Sequence, residues 1–268
     1  MKLIQIDDIN DERVSLFSKY NEKQLAHYFE PERGVFIAET FMVIERALER
    51  GCEPISFYIE DSYLENDAII SFLDKFEDID IFHSPIDVIN KMTGFNLNRG
   101  VLCVMRRLVL PSIGDFLGSF SKLLVLEDVM NPTNIGAIFR SAAALGIEAI
   151  LLTKACADPF YRRAARVSMG TVFQIPFTYV DESWLYTLKE NNFSTIAMAL
   201  CDDAVSIAST DLKRLEKKAI IMGTEAFGIN DNTLKVVDYK VIIPMMNNVD
   251  SLNVAAASAV AIWELLKG

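Results

Sequence analysis

The stretch Val241-Ile242-Ile243-Pro244-Met245-Met246-Asn247-Asn248-Val249-Asp250-Ser251-Leu252-Asn253-Val254 decides the fold. Its first three residues are β-branched and apolar, the pattern of a buried strand. Pro244 has no N–H for a central ladder, so the strand ends there. Ser251 then reads as the N-cap of an alanine-rich helix. An apolar strand, a polar loop and a capped helix of small residues make a ligand cradle at the C-terminal edge of a sheet.

Upstream of this stretch, Leu123–Leu126, Ala149–Leu152, Val172–Pro176, Thr195–Ala199 and Ala219–Met222 read as further strands, most of them separated by helical segments. Such alternation predicts a mainly parallel sheet covered on both faces. The first third reads as a smaller α/β domain. An amphipathic helix over residues 10–30 carries Val14, Phe17, Leu25 and Phe29; then come strand Val35–Ala38, helix Thr40–Arg50 closed by Gly51, and strand Ile55–Ile59. Two more helix–strand units follow, the latter helix opened by Ser84-Pro85, and end in strand Val101–Met105. The glycine-containing segment from Pro111 to Ser121 joins the halves, which predicts domains of residues 1–115 and 116–268.

Composition narrows the function. The chain has 268 residues, half of them hydrophobic, with no apolar run of membrane-spanning length and no signal-peptide pattern, so the cytoplasm is the expected compartment. Its four cysteines (Cys52, Cys103, Cys156, Cys201) are scattered, which suggests neither disulfides nor a zinc site. The only histidines, His27 and His83, lie in the first third, so no His-based triad or multi-histidine metal site belongs to the C-terminal half. Net charge is −11, and residues 1–120 carry most of it, with 12 Lys and Arg against 21 Asp and Glu. Nucleic-acid binding must therefore rest on a local basic patch. Arg162, Arg163 and Arg166, with Lys154 and Tyr161 nearby, form such a patch, and Arg106-Arg107 is a second.

Two more strand-end loops belong to the same cradle. After Leu123–Glu127 comes Asn131-Pro132-Thr133-Asn134-Ile135-Gly136, then a helix ending near Gly146. Asn131 is placed to cap, Pro132 fits the first helical turn, and Gly146 suits the left-handed residue after the helix. Arg140, four residues beyond Gly136, leans over that bare glycine toward the loop. After Ala219–Met222 comes Gly223-Thr224-Glu225-Ala226-Phe227-Gly228, where glycines flanking one carboxylate let the backbone approach a ligand. There is neither a GxGxxG nor a GxxxxGK[ST] motif, which argues against a dinucleotide fold or a P-loop.

These three segments, in this order, resemble the motifs of the SpoU-type (TrmH family) RNA ribose 2′-O-methyltransferases of the SPOUT superfamily, over about residues 120–268. Residues 157–170 resemble the stretch between the first two motifs. Phe36-Ile37-Ala38-Glu39 is similar, more weakly, to the substrate-binding domain that often precedes them. Two positions depart from the pattern. Asn247 stands where glycine is usual, so a positive φ or a different path is expected there, and Thr224 and Ala226 replace common second-motif residues.

The resemblance implies a trefoil-knotted C-terminal domain that binds S-adenosylmethionine and dimerises through the knot region, the last helix contributing. Gly223, Ile243 and Leu252 match the family's cofactor contacts. Asn134, Arg140, Glu225, Ser251 and Asn253 match its catalytic or substrate-ordering set. The implied reaction moves a methyl group to a ribose 2′-hydroxyl of RNA, and the attached N-terminal domain favours ribosomal over transfer RNA. Arg140 is better read as a fixed cation than as a base, because a neutral guanidine at pH 7 costs about 9 kcal/mol. Stabilising a developing alkoxide is worth roughly 3–4 kcal/mol per positioned donor. Methylation of a pyrimidine carbon would need a cysteine nucleophile, and none of the three loops carries one. The rival class is a non-catalytic RNA-binding or ribosome-assembly factor on the same scaffold, or a transfer-RNA enzyme. No metal and no membrane are implied.

Overall fold

The computed structural model describes every residue except Met1, Ile9, Pro31, Glu32, 94–99, Glu225, Ala226, Asn248 and Gly268. It divides into two compact units. One comprises residues 1–109 with 160–170, the other 110–159 with 171–268. Residues 160–170, which the sequence reading assigns to the second domain, pack instead with the first.

The first unit is built on a five-stranded mixed sheet. Its strands are β1 (Lys2–Gln5), β2 (Val35–Glu39), β3 (Pro54–Glu60), β4 (Asp80–Ser84) and β5 (Val101–Arg106), in the order β1-β4-β3-β5-β2. β1, β4 and β3 run parallel, whereas β5 pairs antiparallel with both β3 and β2. The predicted helix over 10–30 is broken into short turns: Glu12–Val14, Ser15–Ser18 and Glu22–Ala26. Asn21 causes the restart, since its side chain accepts from the Gln24 N–H while Gln24 returns a bond to the Asn21 N–H. Val14, Phe17 and Leu25 still reach the core.

Seven strands, all parallel, make the sheet of the second unit. They are β6 (Lys122–Leu126), β7 (Ala149–Thr153), β8 (Phe177–Val180), β9 (Ser194–Met198), β10 (Val205–Ser206), β11 (Lys218–Met222) and β12 (Tyr239–Ile242). Their order is β10-β12-β9-β11-β6-β7-β8. The chain steps outward from β6 to β8, crosses back to β9, and later fills the slot between β9 and β6 with β11. Central strands β6, β7 and β11 are buried almost end to end, as a sheet covered on both faces requires. One face carries Leu123, Val125, Leu151 and Ile221 against Trp184, Leu185 and Leu188. The helices Pro132–Leu145 and Val254–Leu266 pack against each other.

Val172–Pro176 is not a strand. Thr171–Phe173 forms a 3-10 turn, and β8 begins only at Phe177, after the proline that cannot donate to a ladder. The last helix is capped by Asn253 rather than Ser251: the Asn253 side chain accepts from the Ala255 N–H at 3.0 Å, and Ser251 stays exposed in the loop.

Candidate functional site

The first loop is fixed by local chemistry. Asn131 accepts from the Thr133 N–H at 2.9 Å, Pro132 opens the helix, and Gly146 closes it at φ 88. Asn134 is buried on this helix, and its side-chain oxygen accepts from Asn253 Nδ2 at 3.3 Å. One amide therefore serves two purposes: Asn253 Oδ1 caps the last helix and Nδ2 ties it to the first motif. Arg140 is exposed and makes no ion pair or hydrogen bond among the described residues. A solvated guanidinium without an internal partner is available for an external anion.

The second loop is pinned at Thr224 and Gly228. Thr224 and Gly228 exchange N–H···O bonds of 2.9 and 3.0 Å, and Gly228 has φ 68. A side chain at Gly223 would place its Cβ 2.2 Å from the Gly228 carbonyl oxygen, so only glycine permits this approach. Glu225 and Ala226 lie outside the described residues.

In the third loop Asn247 takes φ 58, the left-handed geometry expected where glycine is usual. The Val249 N–H donates to the Met246 carbonyl at 3.2 Å and closes a turn around it.

A cavity of about 500 Å³ opens at the carboxyl ends of β9, β11 and β12. Gly223, Ile243 and Leu252 all line it, as does Ser251; Asn134, Arg140 and Asn253 do not. Val254 and Ala257 give it a small-residue wall from the last helix. The sequence reading missed a fourth contributor, Met198–Cys201 at the end of β9 and just beyond it, together with Asp231 and Leu234. Only the strand order places β9 beside β11, although its strand-end position was a usable signal. Cys201 thus stands at the cavity on this fourth segment, while the three loops themselves carry no cysteine. The other three cysteines are buried, and burial, against the opposing charges of Arg50, Arg107 and Arg33, pushes the Cys52 thiol up to about 12.

The basic cluster has internal occupations. Glu39, at 2% exposure, pairs with Arg166 at 3.3 Å and with Arg162 at 3.9 Å. Burial lowers the Arg162 pKa, and the Glu39 charge opposes that shift. Arg46 donates to the Met169 carbonyl at 2.6 Å, and the Arg162 N–H meets Glu22. Of the three arginines, only Arg163 is exposed and without a partner among the described residues.

No group of three or more His, Cys, Asp or Glu is arranged for a metal among the described residues, and no described helix is long and apolar enough to cross a membrane. A parallel sheet with a glycine-built cavity at its carboxyl edge and no GxGxxG defines an α/β ligand-binding domain outside the dinucleotide class.

Comparison with known proteins gives the class a family. The model of the SpoU rRNA methylase family matches residues 121–263. A Mycobacterium bovis protein described as an uncharacterized tRNA/rRNA methyltransferase is 34% identical over 266 residues, 96% of this chain and 89% of that protein. The Bacillus subtilis 23S rRNA (guanosine(2553)-2′-O)-methyltransferase is 30% identical over 155 residues, 56% of this chain and 59% of its own length. Among solved structures, the AdoMet-bound rRNA methyltransferase of Sinorhizobium meliloti superposes with a TM-score of 0.81 at 21% identity, covering 98% of this chain and 97% of that one. The chain belongs to the SpoU rRNA methylase family and is an RNA methyltransferase.

Proposed function

We propose that this enzyme transfers the methyl group of S-adenosylmethionine to a ribose 2′-hydroxyl of ribosomal RNA, acting as a cytoplasmic homodimer with a knotted C-terminal domain. The observation that carries the reading is the meeting of the second and third loops around one cavity of about 500 Å³, with the first motif tied to the third through Asn134 and Asn253. The cavity fits the cofactor: Gly223 leaves room for close backbone contact, and Ile243 and Leu252 offer apolar walls.

Bound there, S-adenosylmethionine supplies an electrophilic methyl on a sulfonium, so the transfer needs alignment more than a strong base. Arg140 holds an RNA phosphate and stabilises the charge that develops on the ribose oxygen. Asn134 and Asn253 fix the first motif against the third, while Ser251 and Glu225 order the substrate. The first unit, with Arg163 exposed, supports RNA binding by a local patch on an acidic chain. Val260 and Trp263, exposed three residues apart on the last helix, support a dimer face there.

The test is incorporation of labelled methyl into ribosomal RNA from a strain lacking the gene, with the ribose mapped by mass spectrometry. A single ribose labelled in vitro and unmethylated in that strain is the expected result. No incorporation, together with no S-adenosylmethionine binding by calorimetry, would mean a non-catalytic RNA-binding factor.

A further inference from the structure

We propose that Glu127 is the positioning residue for the second loop and thereby sets the affinity for the methyl donor; this rests on the cofactor reading above. Glu127 follows β6 directly and is 5% exposed. Among the described residues no cation pairs with it. Its carboxylate instead accepts from the Asn230 N–H at 2.6 Å and from the Thr233 hydroxyl at 2.7 Å. Burying a carboxylate without a counter-ion is costly and is tolerated only when hydrogen bonds satisfy it.

What the carboxylate grips is the exit of the second loop. Thr224 and Gly228 are joined by their own backbone bonds, and Gly223 is pressed against Gly228 and Ile229. The placement of Gly223 and Thr224 at the cavity therefore depends on where residues 229–234 are held. Gly228, Ile229, Asp231 and Leu234 line the cavity, while Asn230 and Thr233 turn away toward Glu127. The Glu127 side chain does not line that cavity; with Asn230 and Thr233 it borders a separate one of about 670 Å³. Its backbone N–H donates to the Met222 carbonyl at 2.8 Å, so the clamp stands on the strand beside β11. Glu127 thus holds the wall of the cofactor cavity from behind.

The experiment compares wild type, Glu127→Ala, Glu127→Gln and Thr233→Val by calorimetry with S-adenosylmethionine, steady-state methyl transfer and ligand-free melting. Glu127→Ala is expected to raise Kd and KM for S-adenosylmethionine at least about tenfold, with kcat at saturation within about threefold. Glu127→Gln restores affinity to within about threefold, because Oε1 accepts from Asn230 while Nε2 donates to the Thr233 oxygen. Thr233→Val, which keeps the fold if Glu127→Ala does not, weakens binding about three- to tenfold. A purely structural role would lower the melting temperature and leave Kd unmoved, so a folded Glu127→Ala or Thr233→Val with wild-type Kd overturns the proposal. Wild type that takes up no S-adenosylmethionine would instead overturn the cofactor reading, and this proposal with it.

Discussion

Replacing Asn247 separates backbone geometry from side-chain chemistry in the third loop. Asn247 has φ 58, is exposed, and has no side-chain partner among the described residues, so substitution there loses no packing. The left-handed region costs an L-residue about 1–2 kcal/mol, least for Asn and most for β-branched residues. Asn247→Val should therefore push the turn between Met245 and Ser251, both of which line the cavity, toward another path. If that strain acts entirely on the cofactor-competent conformation, 1–2 kcal/mol corresponds to about a five- to thirtyfold rise in Kd for S-adenosylmethionine. Asn247→Gly should bind near wild type, because glycine enters this region freely. Calorimetry on the three proteins measures the difference. A valine variant with wild-type affinity would refute the reasoning and leave the second loop as the main determinant of cofactor placement.

Further outcomes follow from the same geometry. Arg140→Ala should nearly abolish methyl transfer while S-adenosylmethionine affinity stays within a few-fold, and Arg140→Lys should also be poor because a point charge lacks the planar fork; wild-type turnover in either would remove the assigned role. Arg163→Glu should flatten the salt dependence of RNA binding by about 0.9 in the slope of log K for duplex, or about 0.7 for single strand. Arg166→Glu should instead destabilise the first unit, since it sets two carboxylates together where Glu39 is buried, and a chemical melt tells the two effects apart. Burial raises the Glu148 carboxyl, but the N–H groups of Ser121 and Lys122 outweigh it and hold its pKa below the ordinary 4.5. A depressed folded pKa contributes stability above the unfolded value and loses it as pH falls through the folded one. Glu148→Gln should therefore melt lower than wild type at pH 7, with the gap closing below pH 4.5; a constant gap down to pH 3 would contradict this.

What the residues determined alone was local. Asn131, Pro132 and Gly146 bound the first-motif helix because capping and backbone sterics act within a few positions. The left-handed turn at Asn247 and the apolar runs of β6, β7, β9, β11 and β12 were legible for the same reason. Where a local rule had two acceptable answers, tertiary context chose. Ser251 and Asn253 are both good caps, and the one that also reaches Asn134, 119 residues away, took the position.

Only the folded chain decided which strand ends share an edge. The order β10-β12-β9-β11-β6-β7-β8 brings Cys201 to the cavity and sets Glu127 within reach of Asn230 and Thr233, more than a hundred residues on. It is likewise packing, not pattern, that places residues 160–170 in the first unit and pairs Arg162 and Arg166 with Glu39. Charge runs look alike in sequence whether they face solvent, nucleic acid or a buried carboxylate. Desolvation distinguishes them, and desolvation exists only once distant segments have come together.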